Sequence, residues 1–249
     1  MEEWKLEPAR DLGVPLAKRP LDLRRESGLL ETGAHLAWAA LLRVHFALWH
    51  RLRVEGREHL PAEPPFVIAA NHGSHLDSLA LTCSLPWRLH DRVFPLAAGD
   101  VFFATPVLAG FAAFVMNALP LWRRNCGAHA MEALRARLVE EGCVYILFPE
   151  GTRSRTGEPG RFKAGIGMLV AGTAIPVVPC RIEGTFRALP PGAVLPRPRK
   201  VVLRFGPPLG FADLPADREG WSRAAAAVEK AVLALGEGFR PIAGEGTAA

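Results

Sequence analysis

The chain has 249 residues, 49% of them hydrophobic and 22% charged; that balance excludes a disordered chain and allows one domain, or two small ones, with a full hydrophobic core. The net charge of +5 points to anionic company, while a single Tyr, no zinc-finger spacing and no basic run interleaved with aromatics count against nucleic acid. Four scattered cysteines (Cys83, Cys126, Cys143, Cys180) with no CxxC pair read as reduced thiols in a cytoplasmic setting, and Met-Glu-Glu-Trp-Lys at the start lacks the apolar core of a signal peptide.

Residues 1–28 mix Pro, Arg, Lys and Glu without periodicity and are expected to be an extended lead-in. Residues 29–52 turn helical. Leu36, Leu41, Leu42, Val44, Phe46, Leu48 and Trp49 are expected on one side, with Trp38 nearby and Arg43, His50, Arg51 and Arg53 as a basic flank. This unit (29–55) suits an amphipathic helix lying in a membrane interface, and equally a helix packed on its own domain. Residues 56–65 form a turn-rich joint, and an α/β domain is expected over 56–240, its body beginning at Phe66.

Phe66-Val67-Ile68-Ala69-Ala70 reads as a buried strand that runs straight into Asn71-His72-Gly73-Ser74-His75-Leu76-Asp77. A helix over 76–85 ends at Pro86, and 93–98 is a second strand. Residues 101–122 carry no charge, which by length is a transmembrane candidate. Pro106, Gly110, Asn117 and Pro120 break it instead into a helix (101–116) and a short strand (118–122), the helix buried or facing a membrane. Then come a helix over 126–141, the strand Cys143-Val144-Tyr145-Ile146-Leu147-Phe148, a helix over 164–172, and strands at 175–179 and 200–205. The stretch 187–204 holds Arg197, Arg199 and Lys200 with no acidic residue, as a solvated loop or a patch facing anionic lipid. A helix over 221–235 closes the chain, and 241–249 reads as a disordered tail. Strands alternating with helices at this spacing indicate an α/β fold with a largely parallel central sheet and helices on its faces.

Polar, titratable residues at the exit of a buried strand are where open α/β sheets place their chemistry. His72 and Asp77 are five apart, which in a regular helix turns them about 140° from one another. If the helix starts near Ser74, His72 can fold back over its first turn and meet the carboxylate, leaving the second ring nitrogen as a base. The competing reading is helix capping by Ser74 and Asp77, with the histidines incidental. No Gly-x-Ser-x-Gly elbow supplies a serine nucleophile, and His72, His75 and Asp77 lack the spacing of a usual zinc motif. His72 is thus a base without a protein nucleophile, suited to activating a hydroxyl on a substrate. On the anion side, Glu150-Gly151-Thr152-Arg153 follows a buried strand and Arg123-Arg124 follow another, so guanidinium groups gather at strand ends.

These residues resemble the glycerolipid acyltransferase family, best known through the lysophosphatidic acid (1-acylglycerol-3-phosphate) acyltransferases. Asn71 to Asp77 looks like its NHxSxxD block, Leu119-Pro120-Leu121-Trp122-Arg123 like its second block, Phe148-Pro149-Glu150-Gly151-Thr152-Arg153-Ser154 like its FPEGTRS block, and Ile175-Pro176-Val177-Val178-Pro179 like its proline-centred fourth. The resemblance covers about residues 55–210, and Asn117 and Pro120 depart from the second block's usual Gly and Phe. It implies that His72, oriented by Asp77, deprotonates the free hydroxyl of a lysophospholipid. The oxygen then attacks the thioester of acyl-CoA or acyl carrier protein, with no acyl-enzyme, metal or bound cofactor. Arg123, Glu150, Gly151, Thr152 and Arg153 are then expected to serve the acceptor's phosphate, with Glu150 orienting an arginine or a backbone turn. A peripheral or monotopic protein on the cytoplasmic face of a membrane, making phosphatidic acid, is the expectation. Alternatives are another amphiphilic acceptor (a lyso-ornithine lipid, a glycolipid, another lysophospholipid) and an inactive lipid-binding protein.

Overall fold

The computed structural model describes residues 29–98, 119–121 and 128–237. The expected lead-in 1–28, the uncharged helix 101–116, Arg123, Arg124, Cys126 and the tail 241–249 lie outside the described residues. In chain order the elements are α1 (Leu29–Leu48), β1 (Arg53–Glu55), β2 (Phe66–Ala70), α2 (Leu76–Ser84), β3 (Val93–Ala98), β4 (Leu119–Leu121) and α3 (Ala128–Glu140). There follow β5 (Val144–Leu147), α4 (Gly165–Val170), β6 (Val177–Glu183), the short α5 (Thr185–Ala188), β7 (Val202–Phe205) and α6 (Arg218–Glu237).

The strands form one sheet in the order β1-β7-β6-β2-β5-β3-β4. Strands β6, β2, β5, β3 and β4 run parallel, while β7 pairs antiparallel with β6 and carries β1 with it. Two edges differ from the sequence reading. The sheet begins at Arg53, ahead of Phe66, because β1 docks parallel on the distant β7. Strand β6 also runs past Pro179 to Glu183, because residues 180–183 pair antiparallel with β7.

β2 and β5 read as unbroken apolar runs because both faces of the sheet are covered. Phe66, Ile68 and Ala70 join Val144 and Ile146 in a core under α1 and α2. Val67 and Ala69 join Tyr145 and Leu147 in a second core under α3, α4 and α6. Helix α1 does not present one apolar side as expected. Leu42 and Phe46 point into the core and Trp38 packs beside it, while Leu36, Leu41, Val44 and Leu48 face outward. The guanidinium of Arg43 locks α1 to the end of α2, donating to the Leu85 carbonyl and lying 3.7 Å over the Trp87 ring. No helix among the described residues is long and apolar enough to cross a membrane.

Helix α4 packs backbone to backbone on α6 at Gly167. A Cβ on Gly167 would stand 2.2 Å from the Trp221 carbonyl oxygen and 2.4 Å from its Cα. Those atoms are backbone and cannot rotate aside, so Gly167→Ala is expected to destabilise the fold by about 3 kcal/mol, the upper part of the overpacking range. A thermal melt checks this; an unchanged midpoint would mean that the two helices are not in fixed contact.

Candidate active site

β2 and β5 are hydrogen-bonded neighbours in parallel register, with Ala69 opposite Leu147. The turns at their carboxyl ends, residues 71–77 and 148–154, therefore emerge side by side, where open α/β sheets bind ligands. Asn71 sets the first turn. Where the backbone leaves the sheet, the Asn71 side chain takes over the ladder, donating to the Ile182 carbonyl (3.0 Å) and accepting the Ile182 N–H (2.7 Å).

The fully buried Asp77 then gathers three donors on one oxygen. Oδ2 lies 2.9 Å from His72 Nδ1 and accepts the Gly73 and Ser74 N–H groups at 2.7 and 2.8 Å. The carboxylate in the first turn of α2 that holds the preceding turn together therefore also grips the imidazole. Ser74 Oγ accepts the Leu76 N–H at 3.3 Å and donates to the Leu189 carbonyl at 2.9 Å. With Nδ1 donating to a carboxylate, Nε2 of His72 is left as the basic nitrogen. The ring is 18% exposed and stacks on Phe148 with centroids 4.2 Å apart. His75 is exposed; partial burial, then nearby Arg153 and His72, hold its pKa below the ordinary imidazole value.

The second turn latches onto the first. Glu150, 6% exposed, accepts the His72 N–H at Oε1 (2.8 Å), and the Ser154 N–H donates to the His72 carbonyl (2.8 Å). Burial pushes the Glu150 carboxyl above its usual range, opposed by backbone hydrogen bonds from His72 and Gly160. Gly151 sits at φ +71°, the left-handed region glycine favours. Thr152 and Arg153 are exposed beyond it, and no Glu150–Arg153 ion pair forms among the described residues.

One residue escaped the sequence reading. Lys163 folds over Gly151 so closely that a Cβ there would come within 2.8 Å of its Nζ, and the Lys163 N–H donates to the Pro149 carbonyl at 2.9 Å. Its only sequence signal was a lysine ahead of a helix, which looks like any solvated surface lysine. The described thiols are poor nucleophiles, since burial pushes Cys83 up to about 12 and Cys143 up to about 11. Among the described residues no group of three or more His, Cys, Asp or Glu is arranged to hold a metal.

A carboxylate-bound imidazole at the carboxyl edge of the sheet, with no activated thiol among the described residues, is consistent with a general base for group transfer. Residues 51–183, over half of the chain, match the family model described as Acyltransferase. The chain is 33% identical over 163 residues to a chloroplastic 1-acyl-sn-glycerol-3-phosphate acyltransferase of Brassica napus, covering 63% of this chain and 43% of that one. It is 30% identical over 176 residues to the 1-acyl-sn-glycerol-3-phosphate acyltransferase of Bacillus subtilis, covering 70% and 82%. The crystal structure of the 1-acyl-sn-glycerophosphate (LPA) acyltransferase PlsC of Thermotoga maritima superposes with a TM-score of 0.63 at 25% identity, over 83% of this chain and 80% of that one. The chain belongs to the acyltransferase family, on its glycerolipid, lysophosphatidate-type branch. It spans less than half the length of the plant relative it matches.

Proposed function

We propose that the protein is an O-acyltransferase moving a fatty acyl group from the thioester of acyl-CoA or acyl carrier protein to the free hydroxyl of 1-acylglycerol-3-phosphate, giving phosphatidic acid. The observation that carries this reading is the His72–Asp77 pair at 2.9 Å, in a chain whose relatives are named for that activity. Nε2 of His72 takes the proton of the acceptor hydroxyl as its oxygen attacks the thioester carbonyl. The tetrahedral intermediate collapses: a C–O ester bond has formed, the C–S bond breaks, and the departing thiolate takes the proton back from the imidazolium. No acyl-enzyme arises, and the thioester is a substrate, not a resident cofactor.

The acceptor phosphate is met by Arg153, Thr152, the Gly151 backbone and Lys163, joined by Arg123 through the resemblance of its motif. Glu150 acts from behind, holding the His72 backbone. The outward stripe of α1 lies in the interface of the membrane that carries the lipid, making the protein peripheral or monotopic on the cytoplasmic face.

The test is a lipid panel. Thiol release should be fast with lysophosphatidic acid and slow with monoacylglycerol, which lacks the phosphate. Arg153→Gln and Lys163→Gln should each raise the KM for lysophosphatidic acid about tenfold with kcat largely kept, the scale of one lost hydrogen bond to a charged group. Equal rates on both lipids, or an unmoved KM, would remove the phosphate site from this turn.

A further inference from the structure

The loop between α5 and β7 presents the most exposed large apolar side chains among the described residues, Val194 at 88% and Leu195 at 79%. They sit next to a one-signed charge cluster. Residues 187–204 contain no acidic residue, and Arg187, Arg197, Arg199 and Lys200 are exposed with no ion pair to a described carboxylate. Two exposed aliphatics within a few residues of four unneutralised cations match an anionic lipid surface, with tails below and phosphates at its level.

The base of the loop is held tightly. Trp49 Nε1 donates to the Pro196 carbonyl (3.3 Å), His50 Nδ1 lies 3.2 Å from the Arg199 carbonyl, and the Val201 N–H donates to the His50 carbonyl (2.9 Å). The loop is thereby joined to the end of α1, whose outward Leu48 is 77% exposed. On its other side it is joined to the catalytic turn, since Ser74 bonds the Leu189 carbonyl and the Arg197 N–H donates to the Ala188 carbonyl at 2.7 Å.

We propose that this loop is a second membrane anchor, with Val194 and Leu195 entering an anionic bilayer and Arg197, Arg199 and Lys200 gripping lipid phosphates. With α1 it makes a two-point contact that holds the carboxyl edge of the sheet, and so His72, against the lipid surface. The proposal rests on the reading that the acceptor is a membrane lipid.

The experiment is sedimentation of the full chain with phosphatidylcholine vesicles, with and without phosphatidylglycerol, beside turnover on a water-soluble short-chain lysophosphatidic acid. Wild type should bind the anionic vesicles better and lose that preference at high salt. Val194→Asp with Leu195→Asp should weaken binding to both vesicle types at least about tenfold. Arg197→Gln, Arg199→Gln and Lys200→Gln should remove only the anionic preference, roughly fivefold per cation. Turnover on the soluble acceptor should stay near wild type in both variants, which shows that they are folded. Wild-type binding to both vesicle types by the Val194→Asp, Leu195→Asp variant, or an undiminished anionic preference in the Arg197, Arg199 and Lys200 variant, overturns the proposal. So does a loss confined to the KM for an acidic carrier-protein donor, which would make the loop a protein-docking site. Binding needs no turnover, so a protein that docks through the loop yet transfers no acyl group would sink the function proposed above and leave the anchor standing.

Discussion

Replacing His72 by alanine is expected to lower kcat for acyl transfer by at least about a hundredfold, the scale of a lost general base. The ring is only partly buried, and its structural contacts are the stack on Phe148 and the bond to Asp77. Its backbone N–H and carbonyl, which hold the two turns together through Glu150 and Ser154, survive the substitution. The variant should therefore fold and bind acceptor with little change in KM. Near-normal turnover in His72→Ala, measured as thiol release, would mean that the reaction uses another base or none.

Asp77→Asn is expected to cost more than activity. Oδ2 accepts from Nδ1 of His72 and from two backbone N–H groups, while Oδ1 is buried with no hydrogen-bond partner among the described residues. An asparagine must bury an NH2 group where Oδ1 lies, with no acceptor for it, or turn that group toward three donors. Either orientation costs about 1–3 kcal/mol of stability. The first also removes the charge that balances an imidazolium; the second forces the wrong tautomer. In serine proteases the equivalent exchange costs about ten-thousandfold, and a loss of at least about a hundredfold is expected here. A role in capping alone predicts a different outcome: a lower melting temperature with unchanged turnover per folded molecule. That result would separate Asp77 from the chemistry.

The parts of the fold legible in the sequence were those with a strong local signal. β2 and β5 are unbroken apolar runs, and each stops at a polar motif, so both strands and both turns could be read in one dimension. The pairing of His72 with Asp77 was legible as a possibility, because a fold-back over the first helical turn is the way to bring residues five apart together. What could not be read depends on distant partners. β1 is three residues long and exists because β7 offers an edge to it. The hold of Glu150 on the His72 N–H spans 78 positions and leaves no periodic trace. Lys163 reaches the second turn only once the chain has folded back over a glycine. In α1, inward Leu42 and outward Leu41 are adjacent, and a list of apolar positions merges the two stripes that the helix separates.

Direct transfer from thioester to lipid hydroxyl through His72 needs no acyl group on the protein. It is tested by mixing purified protein with radiolabelled acyl-CoA, first without and then with lysophosphatidic acid, while following free thiol, labelled lipid and labelled protein. No label on the protein and negligible thiol are expected until the acceptor is added, then thiol and labelled phosphatidic acid appearing one for one. Label accumulating on the protein before the acceptor arrives, or thiol released without a lipid product, would contradict it.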